Sequence, residues 1–393
     1  MITGNVSGAQ FGHALAGCDV NGDGFADLIV SAPGYSNGQS SEGRVQLFLG
    51  SASGISTTVT WSFEPNVVAA LAGAALSSAG DVNADGRDDV LIGAPHFSNG
   101  QTAEGAAYLF LGTASGLAAT ASWTVEGGST NVLFGDALAN AGDVNGDGFA
   151  DVLVSAPNMS APEAGEGRVN LYLGSSSGLA ATPVRSYEGN QAAAGFGRSV
   201  GTAGDVNGDG LADFLIGSPG MNGNVPGEGK AFLFLGSSVS LPFAAQLSFE
   251  SSQTSPEFGG AVATAGDVNG DGFSDLAVGA TKFDGAATDD GAVFVYHGAG
   301  AATSTAQFWQ LSGSGNANLG AAVEMVGDVN GDGFDDAMIG VPSTIRPTSH
   351  SVRRCSSSGA RLVWRRRRAS RSRRGSRRPP RADSAPRCAA RAT

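Results

Sequence analysis

The amino-acid sequence predicts an all-β protein built as a β-propeller, and three observations lead to this fold class. Glycine accounts for 61 of the 393 residues, and it disfavours helices by about 1 kcal/mol per site relative to alanine. A segment of 62 residues recurs along the chain. Each copy contains four short runs of strand-forming residues between clusters of turn-forming residues. Repeats of four strands without a helical period are typical of propeller blades.

The repeat is marked by the segment Gly-Asp-Val-Asn-Gly-Asp-Gly and its close variants. Its first aspartate recurs every 62 residues, with a last interval of 61. A Glu-Gly pair and an apolar run that ends in glycine keep the same step, so the repetition is a specific signal. We predict one domain over residues 1–342. Its units are residues 4–65, 66–127, 128–189, 190–251 and 252–312, and an incomplete sixth unit of residues 313–342.

The third unit shows the four predicted strands in order. The first follows Phe134-Gly135, and the second covers 151–157 directly after an aspartate-rich loop. The third, 167–174, alternates polar and apolar residues, as a half-buried strand does. The fourth covers 185–188. Because Gly4-Asn5 precedes the first unit as Gly189-Asn190 precedes the fourth, we expect the chain to start within a fourth strand.

The net charge of −13 is divided unevenly along the chain. Residues 1–342 carry 7 basic and 35 acidic side chains, whereas residues 343–393 carry 16 arginines and one acid. We predict that 343–393 form a disordered, Arg-rich tail. Its abrupt start within a repeat and its Arg, Ala, Ser and Pro content favour a shifted reading frame of a GC-rich gene. A disordered arm for anionic surfaces and a folded segment are the two alternatives.

The loop after each first strand has the pattern D-x-N-x-D-G-x-x-D. Hard oxygen donors at positions 1, 3 and 5 have the spacing that wraps a chain around Ca²⁺, and glycine at position 6 permits the sharp turn. Position 7 would offer its backbone carbonyl, and position 9 a closing carboxylate. The predicted Ca²⁺ ligands are Asp19, Asn21, Asp23, Phe25, Asp27, Asp81, Asn83, Asp85, Arg87, Asp89, Asp143, Asn145, Asp147, Phe149, Asp151, Asp205, Asn207, Asp209, Leu211, Asp213, Asp267, Asn269, Asp271, Phe273, Asp275, Asp328, Asn330, Asp332, Phe334 and Asp336.

The loop differs from an EF-hand and from an ordinary turn. An EF-hand needs glutamate at position 12 and flanking helices, but position 12 is apolar here, as at Val30 and Val154. Asp, Asn and Gly are common in ordinary turns. A turn does not need carboxylates at positions 1, 5 and 9 together, and a divalent cation would remove their repulsion. Six copies therefore favour metal binding.

These markers resemble the FG-GAP repeat, as found in the N-terminal propeller of integrin α chains. Phe-Gly occurs at Phe11-Gly12 and Phe134-Gly135, and the Gly-Ala-Pro element at Gly93-Ala94-Pro95. The resemblance covers about residues 4–342 and implies seven blades, Ca²⁺ in the hairpin loops and extracellular or cell-surface recognition or adhesion. The ligand would be a protein or carbohydrate at a loop face. Fewer than six units are complete, so the missing blades would come from a partner or were lost by truncation. Unit 1 departs further, because it is one residue short and has Cys18 where the other units have glycine.

The sequence does not favour catalysis, so we expect a binding module and not an enzyme. His13 and His96 lack equivalents in most units and are interpreted as surface residues. Glu42, Glu104, Glu166 and Glu228 recur in phase and are expected to be structural, and the repeated Trp61, Trp123 and Trp309 to pack between blades. The alternative is an accessory or catalytic propeller of a secreted hydrolase or lyase. We expect no nucleic-acid partner and no membrane span, and the N-terminus shows no signal peptide.

Overall fold

A computed structural model describes residues 2–300, 309–313 and 317–342, and the backbone of 351–358 and 361–364. These residues form six four-stranded antiparallel sheets, and none of them is helical. The predicted all-β propeller architecture is confirmed. Each sheet is a blade, numbered here from 1 to 6 in chain order.

The strands of each blade pair in chain order, from the first to the fourth. The strands of blades 1 to 3 are Leu15–Cys18, Asp27–Ala32, Arg44–Phe48 and Trp61–Phe63; Ala75–Gly80, Asp89–Ala94, Ala106–Phe110 and Trp123–Glu126; Leu138–Gly142, Asp151–Ala156, Arg168–Tyr172 and Arg185–Glu188. The strands of blades 4 to 6 are Ser199–Gly204, Asp213–Ser218, Lys230–Phe234 and Leu247–Glu250; Phe258–Gly266, Asp275–Ala280, Ala292–Tyr296 and Trp309–Ser312; Val323–Met325, Ala337–Val341, Ser351–Ser358 and Arg361–Trp364. A two-stranded ribbon, Gly112–Thr113 with Gly116–Leu117, follows the third strand of blade 2.

The sixth blade differs from the sequence prediction. Its third and fourth strands, Ser351–Ser358 and Arg361–Trp364, come from the Arg-rich segment that was predicted to be disordered. A sheet that ended at Ala337–Val341 would leave an unpaired backbone edge, and pairing with the following chain satisfies it. The remainder of the predicted tail lies outside the described residues.

First strands of successive blades lie against each other from blade 1 to blade 6, which makes them the innermost strands. The second strands are the most buried, and all six residues of Asp89–Ala94 are buried. In blade 3 the first strand begins at Leu138, four residues after Phe134, so the Phe-Gly pair precedes the strand. None of the described residues forms a helix that is long and apolar enough to cross a membrane.

The hydrophobic core lies between the blades. One buried cluster joins Val45 and Leu47 of blade 1 to Ile92 and Phe110 of blade 2. The other clusters join adjacent blades in the same way. A blade therefore buries its faces only against its neighbours, as in other repeat architectures.

The Phe-Gly and Glu-Gly pairs meet at the blade junctions. Between blades 2 and 3, Phe134 N–H donates to the Glu104 carbonyl over 3.1 Å, and Gly105 forms an isolated parallel bridge with Phe134. A Cβ on Gly105 would lie 2.2 Å from the Phe134 carbonyl oxygen, and its φ is +78°. Glycine recurs here because the adjacent backbones touch and the backbone is left-handed.

Unit 1 is one residue shorter than the other units because its first strand lacks a β-bulge. In blades 2 to 5, the pairing of the first and second strands shifts register next to the last glycine of the first strand. Blade 1 pairs Leu15–Cys18 with Asp27–Val30 without a shift. Since an unbulged strand needs no left-handed residue at this point, Cys18 is tolerated where the other blades have glycine.

Candidate metal-binding loops

Each candidate loop connects the first strand of a blade to its second strand. Since the first strands are innermost and equivalent, the six loops lie at the same end of the blades. The backbone turns sharply at position 6, where Gly148 of the third loop has a φ of +89°. This is the left-handed conformation for which glycine was expected.

The carboxylate at position 1 organises the loop by accepting backbone N–H groups. In the third loop, Asp143 Oδ1 accepts from Gly146 over 2.7 Å and from Asp147 over 3.1 Å, and Oδ2 accepts from Gly148 over 2.8 Å. Asn145 Oδ1 accepts from the Asp147 N–H over 2.9 Å, and Asn145 Nδ2 donates to Asp147 Oδ2 over 2.8 Å. Positions 1, 3 and 5 thus form one hydrogen-bonded unit.

The aspartate at position 9 fastens the base of the loop to the blade. Asp151 is fully buried, with Oδ2 accepting from the Val144 N–H over 3.0 Å and Oδ1 from the Gly174 N–H over 2.9 Å. Burial raises the pKa of Asp89, Asp151 and Asp213 to about 7, and the facing carboxylates at positions 1 and 5 add to the rise. Burial likewise raises the pKa of Asp27.

The donor set of each loop fits a hard cation. It offers three carboxylates, one amide oxygen and one backbone carbonyl, which are the oxygen ligands that Ca²⁺ takes. Asp143 Oδ2 and both Asp151 oxygens each accept one hydrogen bond, and because a carboxylate oxygen has two lone pairs these atoms keep acceptor capacity. Among the described residues, however, no three Asp, Glu, His or Cys side chains converge into a metal-binding group. Backbone N–H groups hold these carboxylates, so Ca²⁺ binding would require the side chains to close inward. Ca²⁺ binding by the six loops therefore remains a prediction.

Neighbouring loops are hydrogen-bonded to one another. The N–H at position 8 of one loop donates to the carbonyl at position 1 of the preceding loop over 3.0–3.1 Å at all five junctions. The donor and acceptor pairs are Asp88 and Asp19, Ala150 and Asp81, Ala212 and Asp143, Ser274 and Asp205, and Asp335 and Asp267.

Side chains strengthen several of these links. Asp88 Oδ2 also accepts the Asp19 N–H over 2.9 Å, and Asp335 Oδ2 accepts the Asp267 N–H over 2.9 Å. The side chain at position 7 packs on the position-4 glycine of the preceding loop, so that a Cβ on Gly208 would lie 2.6 Å from the Phe273 ring. The six loops therefore form a continuous row in which each loop is braced by the next.

A histidine that directly follows the third strand of blade 5 contacts the fifth loop, and the sequence pattern did not predict it as part of the site. His297 Nδ1 lies 2.9 Å from Asp275 Oδ1 and 2.9 Å from Asn269 Nδ2. It stands in the sequence where the other complete units have leucine before glycine, as at Leu173-Gly174. This break in the repeat was the available signal, and it places an imidazole next to positions 3 and 9.

The recurrent glutamates are structural, as predicted. Glu104 is 2% exposed, and its Oε1 accepts the Asn99 N–H over 2.7 Å. Glu166 is fully buried and accepts the Ala161 N–H over 2.7 Å and the Asn190 N–H over 3.1 Å. These carboxylates hold the connection between the second and third strands. His13 and His96 are exposed, as expected.

The tryptophans pack between blades, as predicted. Trp61 Nε1 donates to the Ala118 carbonyl of blade 2 over 2.9 Å, and Trp123 Nε1 donates to the Ala180 carbonyl of blade 3 over 2.9 Å. The Trp61 ring meets Phe110 edge to face at 4.9 Å between centroids. These indoles therefore join adjacent blades.

Family models match this chain in four places. The FG-GAP repeat model covers residues 11–48, 72–110 and 258–296, and the FG-GAP-like repeat model covers 143–216. The chain therefore contains FG-GAP repeats, and it is similar to the N-terminal domain of integrin α chains.

Integrin α chains are among the proteins to which this chain is similar. Integrin alpha-4 of Xenopus laevis is 33% identical over 157 residues, 39% of this chain and 15% of that protein. Integrin alpha-V of Gallus gallus is 32% identical over 223 residues, 54% of this chain and 20% of that protein. Integrin alpha-5 of Xenopus laevis is 28% identical over 242 residues, 59% of this chain and 22% of that protein. The chain thus spans about a fifth or less of the length of these relatives.

One solved structure that aligns with this chain is "Crystal structure of BBS1N in complex with ARL6DN, soaked with lead". The alignment covers 90% of this chain and 82% of the chain in that structure. Its sequence identity is 10% and its TM-score 0.49.

Proposed function

We propose that this chain is a Ca²⁺-stabilised propeller that recognises a protein ligand at the cell surface or outside the cell, and that it is not an enzyme. The linked row of aspartate loops is the observation that carries the proposal. Each loop carries three aspartates in its sequence and is hydrogen-bonded to the next loop, so a cation that neutralises one loop would also support its neighbour. Positions 1, 3, 5, 7 and 9 of each loop would hold the ion, which would supply positive charge and rigidity.

The similarity to integrin α chains supports recognition of a protein. The charges of the described body agree with a recognition surface of acidic character. Six of the seven basic side chains in residues 1–342 are paired with a carboxylate, as Arg168 is with Glu188 and Arg198 with Asp136. Most of the acidic side chains therefore have no basic partner within residues 1–342 and would be neutralised by bound cations or by the ligand. We expect the ligand to present basic groups.

A melting experiment on the purified chain tests the role of calcium. A site with a Kd of about 1 mM, at the weak end of the extracellular range, stabilises the fold by about 1.4 kcal/mol in about 10 mM Ca²⁺. We expect the melting temperature to rise when CaCl₂ is added to chelated protein, and to rise less in an Asp147→Asn variant. Glu163→Gln removes one exposed charge of the same blade outside the loop and is the matched control, which should respond as the unmodified chain does.

Attachment of cells to the immobilised chain tests recognition. We expect attachment in Ca²⁺ that is reduced by chelator and by Asp147→Asn but not by Glu163→Gln. A chain that melts identically with and without millimolar Ca²⁺ would contradict the role of the loops. Attachment that neither chelator nor Asp147→Asn reduces would contradict a calcium-dependent recognition role.

A further inference from the structure

The fifth loop has a nitrogen donor beside it that the loops of blades 1 to 4 lack. In those blades a leucine precedes the glycine that follows the third strand, and it packs partly buried against the core between blades. These leucines are Leu49, Leu111, Leu173 and Leu235. Blade 5 has His297 at this place, and its imidazole contacts loop positions 3 and 9. The departure from the repeat therefore changes the donor set around the loop.

The imidazole links the polar side chains of the loop into one series of contacts. His297 Nδ1 lies 2.9 Å from Asp275 Oδ1 and 2.9 Å from Asn269 Nδ2. The same amide nitrogen lies 2.9 Å from Asp271 Oδ2. The side chains of positions 3, 5 and 9 and the histidine are therefore joined through contacts of equal length.

These separations match those of atoms that share a transition-metal ion. Zn²⁺ binds imidazole nitrogen and carboxylate oxygen at about 2.0–2.1 Å, so two ligand atoms at right angles around the ion lie about 2.9 Å apart. The His297 nitrogen and the Asp275 oxygen already have this spacing. The Asn269 amide would turn so that its oxygen, and not its NH₂ group, faces the ion, and Asp271 would follow it inward.

The blade holds the buried half of this cluster in a fixed orientation. Asp275 is fully buried, and its two oxygens accept the Val268 and Gly298 N–H groups over 3.0 Å each. The His297 side chain is 21% exposed, so the pair lies mostly out of water. Hydrogen bonds of this kind orient the carboxylates that bind metal ions. A divalent ion would also offset the repulsion between Asp275 and the carboxylate of Asp271.

We propose that the fifth loop binds a divalent transition-metal ion of the zinc class in preference to Ca²⁺, with His297 as the nitrogen ligand. Asn269, Asp271 and Asp275 would supply oxygen ligands. Imidazole suits Zn²⁺ and its neighbours in the transition series, whereas carboxylate and carbonyl oxygens suit Ca²⁺. The four leucine-flanked loops would therefore keep to Ca²⁺, and the fifth loop would take Ca²⁺ only where transition metals are absent.

This proposal goes beyond the calcium-linked function and rests on it only for the ability of the loop to hold a cation. It predicts that one loop of the row differs from the others in the metal it selects. Because His297 is the feature that sets this loop apart, substitutions at its position test the proposal directly.

The experiment titrates Co²⁺, a coloured substitute for Zn²⁺, into the full chain in millimolar CaCl₂ after its cysteines are alkylated. Visible absorbance and equilibrium dialysis should report one Co²⁺ per chain that Zn²⁺ displaces and Ca²⁺ does not. His297→Leu installs the residue of blades 1 to 4, so it should fold, and we expect the Kd for Co²⁺ to rise at least about 10-fold. His96→Leu removes an exposed histidine outside the loops and is the matched control, which should leave Co²⁺ binding unchanged.

Three further variants separate the fifth loop from the other loops. Leu173→His places an imidazole at the equivalent position beside the third loop and should give a second Co²⁺ per chain. Asp271→Asn should weaken Co²⁺ binding, whereas Asp147→Asn, the same change in the third loop, should not. In proton NMR, an exchangeable imidazole N–H signal shifted by bound Co²⁺ should be present in the unmodified chain and absent from His297→Leu.

Three results would overturn the proposal: Co²⁺ binding that His297→Leu leaves unchanged, an equal loss on His96→Leu, or a Leu173→His chain that gains no ion. Calcium titration of the same samples keeps the two hypotheses apart. A chain that responds to Ca²⁺ but has no His297-dependent Co²⁺ site would refute this proposal alone. A His297-dependent Co²⁺ site in a chain without a calcium response would support it and refute the calcium-linked function.

Discussion

The contact between adjacent backbones at the Glu-Gly and Phe-Gly pairs makes a sharp prediction for two glycines of blade 2. Gly105 and Gly100 both lie in the connection between the second and third strands, and both have positive φ, +78° and +92°. An alanine at either position therefore meets the same cost of a left-handed backbone, about 1–2 kcal/mol. At Gly100 no atom lies within 4 Å of an added Cβ. The left-handed backbone is therefore the whole cost of Gly100→Ala.

Gly105→Ala adds a steric cost that Gly100→Ala lacks. Its Cβ would lie 2.2 Å from the Phe134 oxygen and 2.4 Å from the Phe134 nitrogen, which are backbone atoms of blade 3. Relieving the overlap requires blades 2 and 3 to move apart, at about 1–3 kcal/mol, and weakens the Phe134–Glu104 hydrogen bond, at about 1 kcal/mol. We expect Gly105→Ala to lose about 3–6 kcal/mol of unfolding free energy and Gly100→Ala about 1–2 kcal/mol.

Urea denaturation of the two variants and the unmodified chain in CaCl₂, followed by circular dichroism, measures the difference. Because both variants carry the same substitution in the same connection, the difference reports the junction between blades 2 and 3. Equal losses in the two variants would refute the account of why glycine recurs at these pairs.

Two more predictions concern the blade interfaces. Trp123 is 8% exposed, so Trp123→Ala should cost about 3–5 kcal/mol in urea denaturation, whereas Trp123→Phe, which loses the bond to the Ala180 carbonyl, should cost about 1–2 kcal/mol; equal costs would contradict a role for that bond. Burial raises the pKa of Tyr172 and Tyr187 to about 12 and also raises the pKa of Tyr108 and Tyr296. Since an unfolded tyrosine ionises near pH 10, the contribution of these four tyrosines to stability should be constant below about pH 10 and fall as the pH rises towards about 12. Tyrosinate absorbance should then increase together with unfolding, and ionisation of all tyrosines in the folded chain near pH 10 would contradict this burial.

Much of the fold was predictable because the repeat shows the same physical requirement six times. A single Asp-Asn-Gly loop is compatible with an ordinary turn. The number of residues from Asp143 to Gly167 and to Gly174 recurs in the other complete units, and this constant spacing in the sequence identifies each blade. The bulge that unit 1 lacks was also visible as a missing residue before Asp19, although its structural meaning required the strand register.

Contacts between units were less predictable. The bonds from position 8 of one loop to position 1 of the preceding loop join backbone atoms, which leave no trace in residue identity. The third and fourth strands of blade 6 were missed because Ser351–Ser358 and Arg361–Trp364 do not follow the repeat.

Direct measurement of bound calcium tests the central claim most closely. Equilibrium dialysis of the full chain against radioactive Ca²⁺ up to millimolar concentrations counts the ions held per chain. The linked loops predict one ion per loop, with one ion lost on Asp147→Asn and none on Glu163→Gln. A chain that binds no calcium at these concentrations, or that loses as much on Glu163→Gln as on Asp147→Asn, would contradict the account.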